Sequence, residues 1–164
     1  MTSKSNLRFD SCGSIKTPVG YLSVYELGGE IVFAEMTSMG APNDAKSPAV
    51  AKALAELDEY FSGERREFTV PIRLEGTEFQ KAVWNQVATI PFGQVMSYGQ
   101  IAEAVGKPLA ARAVGAAVGS NPVPLIIGCH RVMGSTGRIT GYSGGDGIPT
   151  KRWLLAHENI LSAD

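Results

Sequence analysis

The 164-residue chain has little of what several protein classes require. It holds only two cysteines, Cys12 and Cys129, and two histidines, His130 and His157. With no CxxC or HxxxH pair, no metal site is expected. Two cysteines and no secretion signal argue against a disulfide framework and for free thiols in a reducing compartment. Met1 to Phe9 is polar and lacks an apolar signal core. No apolar run approaches the roughly 20 residues of a membrane helix. A cytoplasmic protein is the expectation. There is also no excess of positive charge, since 15 Lys and Arg face 16 Asp and Glu. That balance excludes simple electrostatic attachment to DNA. No long-range repeat or low-complexity segment is found.

What is present is enough for a buried core, with 44% hydrophobic and 19% charged residues. The charge is uneven. Residues 1–76 carry eight bases against eleven acids, a balance of −3. Residues 77–164 carry seven bases against five acids, a balance of +2. Any DNA contact belongs to the second half.

The first half reads as short strands and one helix. Tyr21, Ser23, Tyr25 and Leu27 would share one strand face, with Leu22, Val24 and Glu26 on the other. Gly28-Gly29 forms a two-residue turn before Ile31-Val32-Phe33, which predicts an antiparallel hairpin. Ser47 to Phe61 is helical, with Val50, Leu54, Leu57 and Phe61 inward and Lys52, Glu56 and Glu59 in water. Phe68 to Leu74 is read as one more strand, irregular or at an edge because of Pro71. Gly76 marks a boundary, giving domains 1–76 and 77–164.

The second half opens on a capping box, Thr77-Glu78-Phe79-Gln80. Phe79, Val83 and Val87 form one helical face. Ser97-Tyr98-Gly99-Gln100 is a second capping box, followed by Ile101, Ala102 and Val105 and stopped by Gly106. Leu109 to Gly119 is another helix, closed by Asn121-Pro122. The pair is a helix-turn-helix candidate. The fold class is therefore α+β: a small N-terminal antiparallel sheet with a helix, then a mostly helical C-terminal domain.

The second of these helices has a single charge, Arg112, among alanines, glycines and valines. Two readings stay open. It is a core helix packed through small residues, or its small side chains let the backbone approach a groove while Arg112 projects. A major-groove reader needs several polar side chains. DNA binding here would be in the minor groove and largely independent of sequence.

Leu125-Ile126-Ile127 reads as a short buried strand delivering Gly128-Cys129-His130-Arg131-Val132. Thiolate is the nucleophile, and a free cysteine has a pKa of about 8.5, so Cys129 needs a base or a positive field. His130 adjoins it, but neighbours on an extended strand point to opposite faces, so a bridging water is invoked. Glu158 is a candidate to orient that base. A cysteine beside an apolar strand is also common as inert packing, a lone histidine as structure, and Glu158 as a solvated helix residue.

The run Asn121-Pro122-Val123-Pro124-Leu125-Ile126-Ile127-Gly128-Cys129-His130-Arg131-Val132 closely resembles the active-site segment of the O6-alkylguanine-DNA alkyltransferases. The resemblance extends through Pro91-Phe92-Gly93, Ser97-Tyr98, Ala110 to Gly115, Gly141 to Gly145 and Trp153 to Glu158, in order. Residues 1–76 match the family only in general layout.

The resemblance implies single-turnover repair of O6-alkylguanine in double-stranded DNA, with the nucleotide flipped out of the duplex. It implies no cofactor and a monomer in solution. Cys129 would accept the alkyl group. His130, through a water, would take its proton, and Glu158 would orient His130. Asn121 would brace the turn. Tyr98 would lie near the flipped nucleotide and donate a proton as guanine leaves. Arg112 would enter the base stack, with Ala111 and Gly115 on the same DNA-facing helix. Tyr142, Ser143, Val132, Lys151 and Gly128 would belong to the substrate pocket.

Two departures stand out. The family usually has proline directly before the reactive cysteine, where this chain has Gly128. The loop from Gly144 to Lys151 is about two residues longer than usual. The competing readings are a non-enzymatic sensor of alkylated DNA, in which the cysteine is normally replaced, and a Cys-His hydrolase, for which no oxyanion hole is evident.

Overall fold

The computed structural model describes residues 7–43, 47–142 and 144–160. The fold is α+β, and the chain divides into two compact units, Met1–Glu75 and Gly76–Asp164.

In the first unit, β1 (Ser11–Thr17), β2 (Gly20–Leu27) and β3 (Glu30–Thr37) form one antiparallel sheet in the order β1-β2-β3. Gly28 and Gly29 join β2 to β3 with φ of 61° and 87°. Both angles are positive, which glycine supplies without a Cβ clash and which matches the strand twist. Both faces of the middle of β2 are covered. Leu22, Ser23, Val24, Tyr25 and Glu26 are all buried.

Helix α1 (Pro48–Phe61) covers the sheet, starting from the Ser47 side chain, which accepts from the Val50 amide. Gly13 permits its close approach, because a Cβ there would lie 2.9 Å from Val50 Cγ1. Val50, Ala53, Leu57 and Tyr60 are buried.

Two expectations fail in this unit. Glu56 does not face water; it is 2% exposed. Its carboxylate accepts from the Thr69 amide at 2.9 Å, the Val70 amide at 3.0 Å and the Thr69 hydroxyl at 2.5 Å. Arg65 lies 3.4 Å away. Nor is Phe68 to Leu74 a strand. It meets β3 only at Ile31 and Ile72, through Ile31 N–H to Pro71 O and Arg73 N–H to Ile31 O. Proline removes a donor, and Glu56 takes up the Thr69 and Val70 amides that a ladder would use.

In the second unit, α2 (Glu78–Ala88) and α3 (Tyr98–Ala104) both start from complete capping boxes. Helix α4 (Ala111–Gly119) begins two residues later than its sequence suggests, and Leu109 is fully exposed before it. Trp84 of α2 fixes α4 by donating its indole N–H to Ala117 O at 2.7 Å. Strand β4 (Met96–Ser97) pairs in parallel with β5 (Val132–Met133), which places the start of α3 beside the residues that follow Cys129. Helix α5 (Ile148–His157) completes the unit. It begins at Ile148, so the second half of the supposed 144–151 loop is helix.

Candidate functional site

The segment before Cys129 is a turn, not the predicted strand. Leu125 has φ of 76°, a left-handed value uncommon outside glycine. Pro122 and Pro124 lack donors, so extended pairing is poorly served. Asn121 holds the turn instead. Its Nδ2 donates to Ile127 O at 3.0 Å, and its Oδ1 accepts from the Val123 amide at 3.0 Å. The Ile127 amide closes the turn on Val123 O at 3.0 Å.

Cys129, His130 and Arg131 then form one 3₁₀ turn. The extended-strand argument that sets Cys129 and His130 on opposite faces therefore does not apply. Cys129 is 7% exposed and forms no disulfide. Burial pushes its thiol above the usual range. The Asn121 side chain, the Lys151 charge, the backbone amide and the Tyr142 hydroxyl act against that shift. The thiol is thus the resting form, and a base is needed to make thiolate.

A histidine follows Cys129 in the same turn. His130 is fully buried, and its Nε2 lies 2.6 Å from Glu158 Oε2. A carboxylate beside Nε2 keeps the ring proton there and leaves the lone pair on Nδ1. Nδ1 is buried and has no hydrogen-bond partner among the described residues. Burial lowers the affinity of His130 for a second proton; Glu158 opposes this, while Arg131 and Lys151 add to it. Burial thus favours the neutral ring, which leaves the Nδ1 lone pair as an acceptor.

Sequence reasoning missed the group that holds Glu158. Arg131 donates from Nε to Glu158 Oε1 at 2.8 Å and from Nη2 to Oε2 at 3.0 Å. Its Nη1 donates to Ile90 O at 2.8 Å. The Gly93 amide, in the Pro91-Phe92-Gly93 turn, also donates to Glu158 Oε1 at 3.1 Å. An arginine in an apolar run implies a buried acid, since an unpaired charge there is costly. That signal was available in Cys129-His130-Arg131-Val132, but it does not name the partner.

The other site residues fall into two groups. Tyr98, Ala111, Arg112 and Gly115 line one open cleft of about 630 Å³, together with Gly99, Ser135, Thr140 and Gly141. Ser135 and Thr140 had no assigned role. Val132, Lys151 and Gly128 are buried and are not among the walls of this cleft. Lys151 donates from Nζ to Val132 O at 2.6 Å and to Thr140 O at 3.4 Å. The Tyr98 and Thr140 hydroxyls are 2.9 Å apart. Thr140 thus joins the cleft to the buried group around Cys129. Tyr142 is half-buried, and Ser143 lies outside the described residues.

Helix α4 settles part of its own ambiguity. Val114, Ala117 and Val118 are buried, while Arg112, Ala113, Ala116 and Gly119 are exposed. One face packs in the core, and the other presents small side chains and one cation to solvent. No side chain caps its N-terminus.

Together, a buried thiol, a buried histidine bonded to a glutamate and a neighbouring helix-turn-helix make a cysteine-centred candidate site in an α+β protein. Comparison with known proteins is specific about which kind. Residues 78–160 match the family described as 6-O-methylguanine DNA methyltransferase, DNA binding domain. Residues 11–74 match its ribonuclease-like domain. The chain belongs to the methylated-DNA–protein-cysteine methyltransferase family. The Mycobacterium leprae member is 43% identical over 139 residues, covering 82% of this chain and 84% of that protein. The Mycolicibacterium paratuberculosis member is 50% identical over 110 residues, an alignment spanning 66% of its length. The crystal structure of Mycobacterium tuberculosis OGT in complex with DNA superposes with a TM-score of 0.80 at 41% identity, covering 90% of this chain and 92% of that one.

Proposed function

We propose that this chain repairs O6-alkylguanine in double-stranded DNA by moving the alkyl group irreversibly to Cys129. The observation that carries the reading is the buried Cys129 thiol next to neutral His130, whose Nε2 is held 2.6 Å from Glu158. In the reaction, His130 Nδ1 takes the Cys129 proton through a water. Cys129 sulfur attacks the O6-bound carbon in line, forming an S–C bond as the O6–C bond breaks. The electron pair passes to guanine, which is protonated as it leaves. The Tyr98 hydroxyl supplies that proton and is replenished from solvent. The thioether that remains is stable, so each molecule reacts once.

The target atom lies inside the duplex, so the nucleotide is extruded at a cost of a few kcal/mol. Exposed Arg112 fills the gap in the base stack. The small exposed residues of α4 let its backbone approach the minor groove, and no base-reading side chains are needed there. The protein acts as a monomer on duplex DNA, in a reducing compartment that keeps Cys129 free.

The test is repair of a duplex carrying one O6-methylguanine within a restriction site. Equimolar protein restores cleavage, and further DNA stays resistant. Cys129→Ser restores none. Binding without restored cleavage by the natural chain would instead indicate a lesion sensor, and catalytic turnover of the lesion would overturn the single-use reading.

A further inference from the structure

We infer that Gly128 is a positioning residue: the space left by its missing side chain seats the Arg131 guanidinium, which in turn holds Glu158 on His130. A Cβ built at Gly128 would lie 2.9 Å from Arg131 Nη1 and 3.1 Å from its Cδ and Cζ. Flexible side chains ordinarily move aside from such a contact. Arg131 is not free to do so. Its three nitrogens are committed to Glu158 Oε1, Glu158 Oε2 and Ile90 O, all within 3.0 Å. It is 7% exposed, and Glu158 is 1% exposed. A Cβ at 128 therefore asks the fork to give by a few tenths of an ångström, against the three bonds that hold it.

The backbone at Gly128 does not itself require glycine. Its φ is −75°, within the range of proline and of any L-residue. The glycine is explained by space next to Arg131 and not by conformation. The departure from the family pattern thus bears on the proton relay.

The consequence is electrostatic. His130 is acted on by the Glu158 carboxylate, the Arg131 guanidinium and the Lys151 ammonium, and Cys129 precedes it in the same turn. Burial is the main force that favours the neutral His130 ring; with the fork seated, Arg131 adds to it by offsetting part of the Glu158 charge, and Nδ1 remains an acceptor. With the fork displaced, Glu158 acts on His130 less compensated, and His130 protonates more readily. Lysine at 131 has a similar effect, because a point charge cannot engage both carboxylate oxygens as a planar fork does.

The inference rests on the relay role proposed above for His130, and its test is chosen to stand apart from alkyl transfer. The His130 ring is titrated by nuclear magnetic resonance in DNA-free protein, for the natural chain, Gly128→Ala and Arg131→Lys. Both variants are expected to move the His130 titration upward by about half a pH unit or more. The acid limb of the single-turnover methyl-transfer rate should move with it, and the double variant should add little to either single one. An unchanged His130 titration in folded Gly128→Ala overturns the inference. If Gly128→Ala does not fold, an unchanged titration in Arg131→Lys overturns it equally. Loss of transfer in all proteins with the titration shift intact would count against the repair reading and leave this one standing.

Discussion

Among the described residues, the two most deeply buried glutamates lie one in each unit, Glu56 at 2% exposure and Glu158 at 1%. Both are fully supplied with donors, yet they do different work. Glu56 accepts from two backbone amides and a hydroxyl, with Arg65 beside it. None of these partners is a side chain that ordinarily serves as a general acid or base. A tie of this kind fastens a segment, here 69–70, to a helix. Glu158 also has an arginine and an amide, but it spends part of Oε2 on His130. That one partner has a second ring nitrogen with no protein partner among the described residues. A buried carboxylate becomes part of a proton path when one of its partners can pass a proton on.

The contrast can be broken from either side. The largest effect is expected from Arg131→Met, which leaves Glu158 buried without its main counter-charge. Loss of about 3–5 kcal/mol is expected for removal of one partner of a buried pair, read by urea unfolding. Glu158→Gln should slow single-turnover methyl transfer by about 100-fold or more, since it removes the charge that orients and supports the base. Glu56→Gln should leave the transfer rate of the folded protein unchanged. If the two glutamine variants slow transfer alike, the distinction between tie and relay is wrong.

Glu56→Gln should instead cost about 1–3 kcal/mol of stability, since a neutral amide cannot accept all the same bonds. Its pH dependence sharpens the point. Burial acts against the Glu56 charge, but the Thr69 and Val70 hydrogen bonds and Arg65 outweigh it and hold the carboxyl below its usual range. A folded carboxyl that titrates below its unfolded value stabilises fully above the unfolded value. That contribution is lost as pH falls through the range toward the folded value. Unfolding followed by urea at successive acidic pH values should show this loss in the natural chain and a smaller one in Glu56→Gln. The smallest expected effect is on the helix starts. Ser47→Ala and Ser97→Ala should each cost about 1 kcal/mol, one in each unit, by thermal unfolding.

Local signals in the sequence were readable and correct. Thr77 and Ser97 carry their own capping partners three residues on, so the starts of α2 and α3 were visible. Gly28-Gly29 marked the hairpin for the same reason, since a turn is decided within a few residues. The fates of Glu56 and Leu125 were not visible. Helical spacing sends Glu56 to the polar side, and only Thr69 and Val70, thirteen and fourteen residues later, draw it inward. Leu125 and its neighbours look like a strand by hydrophobicity, and the Asn121 amide decides otherwise. The thiol, the histidine and Glu158 were singled out from the residues themselves and given their roles by family resemblance, whereas Arg131 needed the structure. Its partners are Ile90 and Glu158, 41 and 27 residues distant, and no periodicity links them.

The central claim is that Cys129 itself keeps the alkyl group. Intact-protein mass spectrometry with peptide mapping, after reaction with excess duplex containing O6-methylguanine, tests it directly. A single added methyl on Cys129, absent in Cys129→Ser, is the predicted result. An unchanged mass, or a methyl mapped to any other residue, would contradict it.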